Sequence, residues 1–246
     1  MKVIFILSLI VSLIVLLSVP ALAGDFANLN FIGFSRDGKY LSFEEYGVQD
    51  GSGFPYSNIF FVDVDKNSFA APAIKIRLDN EAMSEQQART RAKRSAAPVL
   101  SKFRILERNT GTALVSRLLT DIDVNHFLAL DAEKPRTVNF AEIIGSMYRE
   151  GDYELTLHPG VVKTKECDIY EQPIYKLELT LKDNMQDKSI TLQKDAMLPA
   201  SRGCPISYAI QHVYVYQNNI AVFINSYTTG FEGPDMRYLV VTGKYK

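Results

Sequence analysis

The sequence predicts an α+β fold, predominantly antiparallel β, with one helical insertion at about residues 80–106. Three stretches carry that prediction. Phe31 to Asp65 (FIGFSRDGKYLSFEEYGVQDGSGFPYSNIFFVDVD) reads as strand, tight turn, strand, glycine-rich loop, strand. Asn80 to about Leu106 is rich in helix formers and poor in β-branched residues. From Tyr153 onward the chain turns clearly to β, strands alternating with turns.

The first residues address the compartment. Lys2 is a positive n-region, Val3 to Val19 is an apolar run, and Ala21-Leu22-Ala23 has the small-residue pattern of a cleavage site. Residues 1–23 are therefore expected to be a secretory signal peptide, cut before Gly24. An uncleaved anchor is the alternative, but an apolar run of about 17 residues is at the short limit for a bilayer span. The expected location is secreted or periplasmic, with no stable membrane span after cleavage.

The chain has 27 basic and 28 acidic side chains, a formal net charge of −1. Loss of Lys2 leaves the mature chain at −2, which excludes a strongly basic nucleic-acid binder. About 220 mature residues suffice for one sizeable core, expected to be a single exported β-rich domain over residues 24–246. Cys167 and Cys204 are the two cysteines, and in an oxidising compartment they are expected to form a disulfide.

The elements follow in order. Leu29 to Phe34 and Tyr40 to Phe43 flank Asp37-Gly38, a hairpin signal that predicts a type I′ turn. Leu41 and Phe43 should face inward, and Tyr40, Ser42 and Glu44 outward. Gly47 to Pro55 is a loop, and Ile59 to Val64 reads as a strand covered on both sides. In the helical insertion Ala88, Ala92 and Ala96 form an apolar stripe, Asn80 or Ser84 is the cap, and Pro98 ends or kinks the helix. Thr112 to Leu119 is a short helix or strand, and Asn139 to Met147 a strand. Strands follow at Tyr153–His158, Ile174–Leu181, Ser189–Gln193, His212–Tyr216, Ile220–Asn225 and Arg237–Thr242. Gly203 and Pro205 predict a tight turn at Cys204.

The two ends echo each other. Each reads strand, turn, strand, Gly-Phe loop, strand, with Gly53-Phe54 in the first unit and Gly230-Phe231 in the second. Pairing the two units on one sheet or barrel would bury their apolar faces.

Chemistry is sparse. Of the three histidines, His126 lies among apolar neighbours, and no serine occupies a G-x-S-x-G elbow. Asp63, Asp65 and Asn67 alternate like the opening of a calcium loop, but Ser68 and Ile74 replace its glycine and glutamate. Glu44 and Glu45 are adjacent and point to opposite faces, a poor pair for glycoside chemistry. No metal or cofactor is expected. The best candidate ligand-binding residues lie in the two Gly-Phe loops: Asp50, Ser52, Tyr56, Glu232, Asp235 and Arg237. In a purely structural reading Phe54 and Phe231 plug the core, and Arg237 pairs with Asp235 or Glu232.

Two resemblances attach to these residues. FSRDGKYLSF, Phe34 to Phe43, resembles the strand-turn-strand of WD40-like propeller repeats in periplasmic Tol-type proteins. It implies, as the alternative fold, a small or incomplete β-propeller-like all-β architecture. The combination of GFSRDGKYLSFEEYGVQDGSGFPYSNIFFVD, SRGCPISYAI and TGFEGPDMRY resembles an uncharacterised family of predicted secreted bacterial proteins, a domain of unknown function. That resemblance implies export and carries over no functional residues.

The function expected is a non-enzymatic binding or interaction module of the bacterial cell envelope, with an envelope protein or a small ligand as partner. A periplasmic hydrolase using loop carboxylates is the second reading, and a disulfide-stabilised structural protein the third. The hydrolase reading requires two or more acids buried in one cleft with raised pKa values.

Overall fold

A computed structural model describes residues 24–122, 132–144, 148–168, 172–231 and 233–246. The leader at 1–23, His126 and Glu232 lie outside the described residues. The strands form three four-stranded antiparallel sheets. An N-terminal sheet contains β1 (Asn28–Phe34), β2 (Tyr40–Val48), β3 (Pro55–Asp63) and β4 (Ser68–Arg77) in that order. After helix α1 (Glu85–Lys102), β5 (Thr112–Ser116) joins β10 (Pro205–Tyr216), β11 (Asn219–Thr229) and β12 (Pro234–Lys244) in a central sheet ordered β12-β11-β10-β5. Between β5 and β10 the chain lays down a third sheet: β6 (Arg136–Ile144), β7 (Tyr148–Val162), β8 (Ile174–Asp183) and β9 (Lys188–Lys194).

The layers follow from side-chain alternation. On β11, Ala221 and Phe223 pack against Phe34, Leu41 and Phe43 of the N-terminal sheet. Ile220, Val222 and Ile224 pack the other way, against Leu155, Leu157 and Leu179 of the third sheet. The central sheet is thus covered on both faces, and β11 reads as a nearly continuous apolar run. The N-terminal sheet is covered too, because Ala92 and Ala96 of α1 pack on Ile59 and Phe61. Helix, N-terminal sheet, central sheet and third sheet stack in that order. The two echoing units occupy facing sheets rather than one sheet, and their turns touch. Tyr216 Oη donates to the Arg36 carbonyl (3.1 Å), and the Asn219 amide group donates to the Gly38 carbonyl (3.2 Å).

Some local expectations are corrected. The Asp37-Gly38 corner is not type I′: of the two residues only Gly38 has positive φ. The Gly38 amide closes on the Ser35 carbonyl (3.0 Å), and Asp37 accepts from the Ser35 hydroxyl (2.7 Å). Ser68–Arg77 forms β4, a strand that its alanines and Pro72 do not predict. Pro98 does not end α1, because Val99, Leu100 and Phe103 beyond it pack on the same sheet face. Ser84 caps the helix in a reciprocal box with Gln87. The supposedly outward face of β2 lies under α1, so Ser42 and Glu44 are fully buried.

Two sheet edges are covered by chain. Residues Leu106–Asn109 run along β1 through hydrogen bonds to Ile32 and Phe34. A Cβ on Gly33 would sit 2.4 Å from the Leu106 carbonyl oxygen, so that approach requires glycine. The entering chain pairs in parallel with the outer edge of β12, where Met236 donates to the Asp25 carbonyl (3.0 Å) and accepts from the Ala27 amide (3.1 Å).

Candidate functional site: a cleft along the outer edge of β12

A cavity of about 660 Å³ runs along the outer edge of β12. Residues from both faces of the strand line it, Tyr238 and Val240 from one and Leu239 and Val241 from the other. Only a cavity lying on the strand's edge can meet both sets. Phe43, Phe60 and Phe69 form an aromatic wall from the N-terminal sheet. The opposite wall is the loop holding Pro199, Ser201 and Arg202.

Glu45 is the group that strand alternation sends into this space. It is 3% exposed, and among the described residues its one hydrogen-bond donor is the Tyr238 amide, 2.7 Å from Oε1. Burial pushes its carboxyl from an ordinary 4.5 up to about 7, against the opposing pull of the Tyr238 amide, Arg237 and Lys75. Its neighbour Glu44 faces α1 and behaves oppositely. Burial alone would raise its pKa, but Arg89 and Asn30, with Ser57, hold it below the usual range. The Ser226 hydroxyl also lines the cleft and is buried with no hydrogen-bond partner among the described residues.

At one end of the cleft, Asp25 gathers three of the residues singled out from sequence. Arg237 donates to Asp25 Oδ2 (2.6 Å), and Tyr56 Oη donates to Asp25 Oδ1 (3.2 Å). Asp235 Oδ1 accepts the Asp25 amide (3.0 Å). The Arg237 guanidinium also sits over the Tyr56 ring, 5.2 Å from its centroid. So Arg237 pairs with Asp25 rather than with Asp235. Asp50 and Ser52 do not join this group. Their loop bonds to itself, with Asp50 accepting the Gly51 amide and Ser52 the Phe54 amide. Phe231 does not plug the core, being 93% exposed.

The opposite wall is locked twice. Cys167 and Cys204 form a disulfide. Beside it, Arg202 makes a buried ion pair with Asp195, which also accepts the Leu177 amide (3.0 Å) and the Gln193 side chain (2.6 Å). Gln193 in turn accepts from Asn67 (2.6 Å), whose carbonyl oxygen receives the Thr242 amide (2.9 Å). Asn67, the third residue of the incomplete calcium pattern, is thereby a clasp between sheets.

Elsewhere, His212 Nδ1 lies 3.2 Å from Ser116 Oγ as a cross-strand pair, with no carboxylate on that ring among the described residues. No group of metal-ligating side chains occurs among the described residues, and no described helix is long and apolar enough to cross a membrane.

Glu45 makes the stability depend on pH. Between 4.5 and 7 the folded protein keeps a proton that the unfolded chain releases, so stability falls as pH rises through that window. The contribution is complete below the window and gone above it, a loss of about 3 kcal/mol. Glu45→Gln keeps the acceptor for Tyr238 and cannot ionise. Urea denaturation should show wild type losing that stability between pH 4.5 and 8 and the variant keeping it. Parallel curves would show that Glu45 titrates normally.

No curated protein matches the chain. Residues 42–244 match the family described as predicted secreted protein (DUF2259), a domain of unknown function. That match runs from within β2 through β12 and includes every residue lining the cleft, and the chain belongs to this family of predicted secreted proteins.

Proposed function

We propose that the protein is a non-enzymatic exported binding module whose ligand occupies the cleft along β12. The observation that carries this reading is the pairing of a 660 Å³ aromatic-walled cavity with two buried, under-bonded polar groups, Glu45 and Ser226. Ligand sites of this size are mostly apolar and carry a few polar groups that fix orientation. Tyr56, Asp235 and Arg237, clasped on Asp25, brace one end of the site. A two-carboxylate hydrolase gains no support from the lining, where Glu45 is the one carboxylate among the described residues.

Thr228 lines the cleft and is half-buried, so Thr228→Trp should fill it while leaving the layers intact. A thermal-shift screen of small molecules and short peptides tests the reading. Compounds that raise the melting temperature of wild type should leave Thr228→Trp unchanged. Equal shifts in both proteins would place the ligand elsewhere, and no shift with any compound would remove the binding reading.

A further inference from the structure

The backbone of β12 states what the cleft is shaped to hold. The strand pairs with β11 in unbroken register from Asn219↔Lys244 to Thr229↔Pro234. Its outward-pointing backbone groups therefore fall at alternate residues: Met236, Tyr238, Val240 and Thr242. Met236 is satisfied by a strand partner, the entering segment Asp25–Ala27. If that segment continued in parallel, the Ala27 carbonyl would accept the Tyr238 amide. Instead the chain turns away into β1, and the Glu45 carboxylate takes that place at 2.7 Å. Farther along, Asn67 Oδ1 takes the Thr242 amide at 2.9 Å. Two side chains thus imitate strand carbonyls on either side of a gap. Inside the gap the Tyr238 carbonyl and the Val240 amide and carbonyl have no partner among the described residues, and both residues line the cavity. Backbone groups on a strand edge are strong hydrogen-bonding groups, and an open edge is a template for another strand.

We propose that this gap receives a short extended peptide, three or four residues long, which adds to β12 as a parallel strand. The residue opposite Leu239 donates its amide to the Tyr238 carbonyl and accepts the Val240 amide. The next outward amide of the peptide meets the Val240 carbonyl. From Tyr238 to Thr242 the edge spans about 13 Å, which sets the peptide length. Continuity selects this occupant: a parallel strand already sits on the same edge at Met236, and the peptide resumes its ladder where that strand departs. Side chains of the peptide alternate between the Phe43–Phe60–Phe69 wall and the Ser201–Arg202 loop, as expected for strand addition. The inference rests on the cleft being the ligand site.

The test uses the mature protein, pools of acetylated, amidated tetrapeptides of mixed sequence, and amide hydrogen exchange read residue by residue. Saturating peptide should slow exchange at Val240 by at least tenfold. Methylating the nitrogen of the peptide residue opposite Leu239 should weaken binding by at least tenfold. Val240→Pro, tolerable on an outward edge position, should abolish binding, and the methylated peptides give the same answer on wild type if that variant does not fold. Peptide binding that leaves Val240 exchange unchanged, or that is indifferent to methylation, overturns the proposal. Small molecules that bind the cleft while tetrapeptides do not would overturn it and leave the binding-module reading standing. If nothing perturbs the cleft, both fall.

Discussion

Arg89→Met should destabilise the protein by about 3–5 kcal/mol, the range for removing one partner of a buried ion pair. The reason lies in the burial of Glu44, which has no exposed surface. Arg89 reaches it from α1 through two hydrogen bonds of 3.0 Å, Nε to Oε1 and Nη2 to Oε2, and its guanidinium lies over the Tyr46 ring at 3.7 Å. Asn30 and Ser57 supply the remaining donors at 2.9 Å. Methionine fills the space of the side-chain stem and leaves the carboxylate facing two neutral groups in the core. The variant then has a carboxyl whose folded pKa is raised, so its deficit should shrink as pH falls through the carboxylate range. Adding Glu44→Gln to Arg89→Met should recover part of the loss, because the uncompensated charge is gone. Urea denaturation at pH 8 and pH 4.5 measures all three. A loss below 1 kcal/mol at pH 8, or one independent of pH, would mean that the pair does not secure α1 to the sheet.

Replacing both Cys167 and Cys204 with serine should cost about 4 kcal/mol on the chain-entropy account, given a loop of 37 positions. The effect has a local part as well. Cys204 follows directly on the Ser201–Arg202 wall of the cleft, and the turn beside it uses positive φ at Gly203. The Asp195–Arg202 pair holds that wall from the other side, so the serine variant should still fold while its wall loosens. Ligand affinity should therefore fall along with stability. A serine variant with wild-type stability would contradict a stabilising role for the disulfide in that region.

Much of the architecture was legible because alternation and turn residues are local signals. β1 and β2 follow from alternation around a turn, β3 and β11 from short apolar runs, β12 and the second half of β10 from strand-forming residues, and the disulfide from two cysteines in an exported chain. β4 is not legible because SFAAPAIKIR offers alanines and Pro72 where a strand signal needs bulk. Pro98 does not end the helix because tertiary packing holds the residues beyond it. The site was less legible still. Glu44-Glu45 in mid-strand reads as one buried and one solvated face, and only the stacking of layers shows that both faces are covered. Asp25 sits beside the expected cleavage point, where no pattern marks it as the hub joining Tyr56, Asp235 and Arg237. The open edge of β12 is a property of strand order, which the sequence of a single strand does not contain.

The cleft's role as a binding site turns on Glu45, so the most direct test is to titrate that carboxyl by NMR, free and with a bound ligand from the screen. The account predicts a midpoint near 7 in the free protein and a displaced midpoint when the cleft is filled. A midpoint at the ordinary 4.5 that no cleft ligand moves would contradict it.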